Sequence, residues 1–70
     1  MTKYQKIYQD LLEKIKRGDI KPHTLLPSES ELMKIYDSSR DTVRKALNLL
    51  LNDGYIQKNK GKGSVVLDIM

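Results

Sequence analysis

The stretch IYDSSRDTVRKAL, residues 35–47, decides how the chain is built. Tyr36 ends one helical repeat of apolar residues and Val43 begins the next, so Asp37 and Ser38 are what remains to turn the chain between two helices. That is a helix-turn-helix arrangement. The second helix of the pair starts near Ser39 or Arg40, with Val43, Ala46, Leu47 and Leu50 as its buried stripe. Asn52 and Asp53 fray its end, and Gly54 closes it as the residue most tolerant of positive φ. The opposite face carries Arg40, Thr42, Arg44, Lys45 and, in part, Asn48. These charges are either a solvated helix face or a surface that reads a partner, and charge alone leaves both open.

Upstream, Ser28 and Glu31 form an S-x-x-E box that opens the preceding helix, predicted from about Glu29 to Tyr36. Leu32, Ile35 and Tyr36 are its expected apolar stripe, and Glu29 and Glu31 sit where the helix dipole favours carboxylates. The dipole explains this acidic pair without a catalytic dyad, and a helix of two turns needs tertiary support. In DIKPHTLLPSESE, residues 19–31, Pro22 and Pro27 exclude a helix and leave Leu25 and Leu26 as a possible third, very short strand. Further back, Tyr4, Ile7, Tyr8, Leu11, Leu12 and Ile15 repeat with helical period. Thr2 with Gln5 supplies a capping box, and Gly18 after Lys16 and Arg17 a stop. The four tyrosines fall on or beside apolar stripes and read as core or core-edge residues.

After Gly54 the pattern suits two short strands, YIQK at 55–58 and SVVL at 64–67, joined by NKGKG. The expected fold is α+β: a winged helix-turn-helix of three helices and a two-stranded hairpin wing, one domain over residues 1–70. Such a chain has room for one core. With no cysteine and a single histidine, His23, it holds neither a disulfide nor the ligand set of a metal site. No cofactor is implied. The longest apolar run, Leu49 to Leu51, falls far short of the roughly 20 residues that span a bilayer. The N-terminus lacks the features of a secretory signal, so a cytoplasmic location is expected. No Ser, Cys or paired carboxylate stands with His23 in a catalytic motif, and nothing argues for an enzyme.

Thirteen Lys and Arg against nine Asp and Glu give a net charge of +4, which permits a polyanionic partner. In a winged helix the first turns of the third helix face base edges, which is where Arg40, Thr42 and Arg44 stand. An arginine fork can bond bidentately to guanine O6 and N7, with roughly 1 to 3 kcal/mol of discrimination. Thr42 suits a thymine methyl or a base acceptor, Ser39 at the cap suits a phosphate, and Lys45 adds general electrostatics. At the wing tip, Gly61 lets the backbone approach a narrow groove while Lys60 and Lys62 meet its negative potential. Lys58, Lys60 and Lys62 also suit a solubilising loop that guards a sheet edge.

Three blocks in order, L-P-S-E-x-E-L at 26–32, S-R-x-T-V-R-x-A-L at 39–47 and G-Y-I followed by G-K-G at 54–63, resemble the GntR family of bacterial transcription regulators. The wing and the spacing from the first helix are most similar to its HutC subfamily. The opening KYQKIYQDLLEKI is similar to that of trehalose operon repressors. The resemblance implies a domain that binds a palindromic double-stranded DNA operator as a homodimer. It also implies a separate C-terminal domain, absent from these residues, that binds a small-molecule effector, for the trehalose type a sugar phosphate such as trehalose 6-phosphate. By matching position it assigns base contacts to Arg40, Thr42 and Arg44, a phosphate contact to Ser39 and a minor-groove contact to Gly61. Two positions depart from the family pattern: Ser30 stands where many members have arginine, and Pro22-His23 replaces a proline-glycine turn. The rival expectation is a winged helix used for protein or RNA contact without operator preference.

Overall fold

The computed structural model describes residues 2–59 and 63–68. Three helices are followed by an antiparallel hairpin: α1 (Lys3–Arg17), α2 (Glu29–Tyr36), α3 (Arg40–Asn52), β1 (Ile56–Asn59) and β2 (Gly63–Val66). Local chemistry accounts for each boundary. The Thr2 side chain accepts from the Gln5 N–H while the Gln5 amide oxygen accepts from the Thr2 N–H, a complete capping box for α1. Gly18 ends that helix at φ 84, the left-handed conformation that costs glycine least. Ser28 caps α2 by accepting from the Glu31 N–H at 3.2 Å. The Glu31 carboxylate returns to the Ser28 hydroxyl at 3.5 Å, so this cap closes through side chains.

Between α2 and α3 the turn is as tight as the sequence requires. Asp37 takes the left-handed conformation at φ 49, Ser38 N–H reaches the Met33 carbonyl at 3.0 Å, and Ser39 already caps α3. The Lys3 ammonium donates to the Asp37 carbonyl, tying the start of α1 to this turn. At the far end of α3, Gly54 reverses the chain at φ 83.

One core joins the elements. Ile7, Leu11 and Ile15 of α1 meet Val43, Ala46 and Leu50 of α3, and Leu26, Leu32, Ile56 and Val66 close it. Each fully buried aliphatic side chain contributes on the order of 1.5–3 kcal/mol, enough to hold a two-turn helix in place. Tyr4, Tyr8, Tyr36 and Tyr55 are half-buried around the edge of this core, as their positions on the stripes suggest.

Three expectations are revised. Ile35 is not on the buried stripe of α2: it is 58% exposed, while Leu32 is buried and Met33 and Tyr36 pack against the core. At about 100° per residue, Met33 and Tyr36 fall on one side of Leu32 and Ile35 on the other, and the core lies on the former side. Leu47 is half-buried, not core. Both hairpin strands sit one residue nearer the loop than 55–58 and 64–67, with Ile56 opposite Val66 and Asn59 opposite Gly63. Tyr55 and Leu67 still share a hydrogen bond, Leu67 N–H to Tyr55 carbonyl at 3.0 Å, just outside the strands.

The short strand before α2 is reduced to a single bridge, Leu25 opposite Val65. Leu26 N–H donates to the Ser64 carbonyl and Val66 N–H to the Thr24 carbonyl, each at 2.9 Å, which covers the open edge of β2. His23 holds the turn ahead of it at φ 68, a conformation glycine adopts more readily, and its N–H donates to the Val66 carbonyl at 2.7 Å. The hairpin thus anchors the loop that delivers α2. Among the described residues no helix is long and apolar enough to cross a membrane.

Candidate nucleic-acid interface

Ser39 caps α3 and Arg40, Thr42, Arg44 and Lys45 lie within its first two turns, in three settings. Ser39 and Thr42 form the cap. The Ser39 Oγ accepts from the Thr42 N–H at 3.3 Å, and the two hydroxyls lie 2.9 Å apart in a hydrogen bond. Ser39 therefore already fixes the start of α3.

Arg40 and Arg44 are one turn apart and share an exposed stripe, their side chains 54% and 58% accessible. Both lean toward the first turn of α2. Glu29 Oε2 accepts from Arg44 Nε at 3.0 Å, and Glu29 Oε1 lies 3.9 Å from Arg40 Nε. One carboxylate thus stands between two guanidinium groups. The α2–α3 turn makes this possible by folding residues 15 apart in sequence against each other.

Lys45 points the other way. Its ammonium lies 5.7 Å from the centre of the Tyr4 ring, a cation–π contact that steers it along the α1 side of the helix. The charged face of α3 is therefore an arginine stripe toward α2 and a lysine toward α1, separated by the exposed Asp41. Beside the arginine stripe, an open groove runs between the start of α2, α3 and the hairpin. Ser28, Ser30, Asn48, Lys58 and Ser64 supply its polar lining, and Leu51 and Ile56 help form its floor. Lys60, Gly61 and Lys62, the expected wing-tip contacts, lie outside the described residues.

Glu29 is the site residue that sequence reasoning placed elsewhere, as a dipole-favoured residue of a helix N-terminus. The dipole argument holds, since Glu29 is in the first turn of α2. No periodic pattern links position 29 to positions 40 and 44, because the link exists only across the crossing of two helices. Ser30, the departure from the family pattern, is exposed at the rim of the same groove.

The order of elements, the capped third helix and the hairpin match a known family across nearly the whole chain. The family model "Bacterial regulatory proteins, gntR family" matches residues 3–66, from the first residue of α1 to the last of β2. The chain belongs to the gntR family. Among curated gntR-type relatives, it is 52% identical over 68 residues to the HTH-type transcriptional regulator TreR of Bacillus subtilis (strain 168), covering 97% of this chain and 29% of that protein. It is 37% identical over 65 residues to the histidine utilization repressor of Klebsiella aerogenes, covering 93% of this chain and 27% of that protein. The chain therefore spans under a third of these relatives' length. Among solved structures, the AraR DNA-binding domain in complex with its operator ORX1 superposes with a TM-score of 0.91 at 33% identity, covering 94% of this chain and 80% of that one. The gntR fold expected from the sequence, three helices and a hairpin, is the fold observed.

Proposed function

We propose that this chain is the operator-reading unit of a bacterial transcriptional repressor. In this reading α3 enters the major groove of double-stranded DNA and the hairpin tip reaches the adjacent minor groove. Arg40, Thr42 and Arg44 meet base edges, Ser39 and Lys45 meet phosphates, and Lys60, Gly61 and Lys62 act in the minor groove. The observation that carries it is the pair of exposed arginines on the first turns of α3, in a fold that superposes with an operator-bound relative. Two such chains read a palindrome, held together in a longer cytoplasmic protein whose further domain binds a small-molecule effector. For that effector we propose a sugar phosphate such as trehalose 6-phosphate, as the resemblance of the opening KYQKIYQDLLEKI to trehalose operon repressors implies.

The test is selection of bound duplexes from a random pool by an artificially dimerised form of this chain. The expected result is a palindrome of related half-sites; an unenriched pool refutes operator reading and favours a protein- or RNA-contact role. Lys60→Ala weakens binding to all sequences alike and flattens the log–log salt slope by about 0.9 for each phosphate that is no longer neutralised.

A further inference from the structure

We propose that Glu29 is a positioning residue for base reading, setting where Arg44 points and holding Arg40 and Arg44 as a pair. The inference rests on the DNA-reading role proposed above and adds to it a residue that touches no base. Both contacts involve Nε: a hydrogen bond from Arg44 at 3.0 Å and an ion pair with Arg40 at 3.9 Å. The two terminal amino groups of an arginine form one fork that can meet guanine O6 and N7. A carboxylate gripping those groups would compete with the base. One that grips Nε from the side leaves the fork available and limits the orientations it samples.

Glu29 is well placed for this task. It follows the α2 cap directly, and the register of α2 is locked by buried Leu32. Two like charges four residues apart on one helix disfavour each other, and a single carboxylate facing both offsets that repulsion. A long side chain oriented beforehand also loses less freedom on binding. The cost is electrostatic, because a carboxylate near the duplex repels its phosphates. Glu29 therefore lowers affinity for every duplex while raising preference for the right one. A residue that merely stabilised the fold would raise both together.

The experiment compares this chain, Glu29→Ala and Glu29→Gln, dimerised alike, on the duplex selected by the parent chain and on a scrambled duplex, with thermal melts confirming that each variant is folded. Glu29→Ala binds the scrambled duplex more tightly, roughly two- to fivefold, because a like charge is gone. Its preference for the selected duplex falls about tenfold, within the range of one bidentate contact. Glu29→Gln gains the same general affinity but keeps its preference, because the amide oxygen still accepts from Arg44 Nε. With both Arg40→Ala and Arg44→Ala in place, Glu29→Ala lowers preference no further.

Equal weakening on both duplexes, or unchanged preference in Glu29→Ala, overturns the positioning role and leaves DNA reading intact. If Glu29→Ala alters base preference when both arginines are already replaced by alanine, the positioning role is overturned in favour of direct base contact by Glu29. If the parent chain selects no sequence at all, the underlying reading fails and the positioning role fails with it.

Discussion

The α1 and α2 sides of the molecule both use carboxylates to tie helices together, with opposite partners. On the α1 side the donors are neutral phenols: Tyr8 donates to Asp53 at the end of α3, and Tyr36 of α2 donates to Asp10 of α1. On the α2 side the donors are the guanidinium groups of Arg40 and Arg44, and the acceptor is Glu29. A phenol at the edge of a core brings apolar area as well as a hydrogen bond, so its bond is maintained by packing. An exposed ion pair contributes little to stability, typically about 0–1 kcal/mol, because water and salt screen it. The first kind of contact suits holding a fold, and the second leaves charged groups available to a partner.

The titration behaviour follows the same division. The hydrogen bond from Tyr36, reinforced by Lys14 at 3.3 Å, holds the Asp10 carboxyl below its usual range against a smaller opposing effect of burial. The hydrogen bond to Asp53 pushes the Tyr8 phenol up to about 12. Burial, then the bond to Asp10, pushes the Tyr36 phenol up as well.

The two sides are most severely tested by removing the core that they share. Leu50→Ala, at a fully buried position of α3, should cost about 2–5 kcal/mol and leave much of so small a domain unfolded in denaturant or thermal melts. Arg44→Ala should lose roughly 1–3 kcal/mol of discrimination between selected and scrambled duplexes, read by titration on both, with its melting temperature nearly unchanged. Tyr36→Phe should reverse that pattern, losing about 1 kcal/mol of stability and little duplex preference.

Acid and alkali separate the two sides further. Because the folded Asp10 carboxyl titrates below its unfolded value, its contribution is present above that unfolded value and disappears as pH falls through the folded one. Melts of Tyr36→Phe should therefore decline less steeply in acid than those of the parent. At the alkaline end the raised phenols act with the opposite sign. Their contribution is complete below the unfolded tyrosine value near 10 and is lost as pH rises through about 12 at Tyr8. Smallest of all is the effect of Glu29→Ala on stability, at most about 1 kcal/mol, which thermal melts in low and high salt should show to be salt-sensitive.

How far the sequence could be read depended on whether the signal was local. The bounds of α2 were legible because Pro27, the Ser28–Glu31 box and the apolar end at Tyr36 all lie within a few residues of the helix. The exposure of Ile35 was not, because a two-turn helix carries too few apolar residues to say which side of Leu32 faces the core. The hairpin was legible from its glycine- and lysine-rich loop, while its exact strand bounds depend on pairing across the loop. At the interface, the position of Arg40 and Arg44 on α3 followed from periodicity and the cap. Their shared contact with Glu29, and the departure of Lys45 toward Tyr4, did not.

The order of residues is thus enough to say where each helix begins and ends, that the second turn is tight, and that the third helix carries its cations away from its apolar stripe. Those properties come from hydrogen bonds and side-chain periods within a few residues of each other. It took the folded molecule to establish which side of α2 is buried, that the loop at Leu25 closes the edge of β2, and that one glutamate stands between two arginines. Each of these is set by how two elements cross, and a crossing is decided by the shape of the shared core rather than by any stretch of the chain that takes part in it.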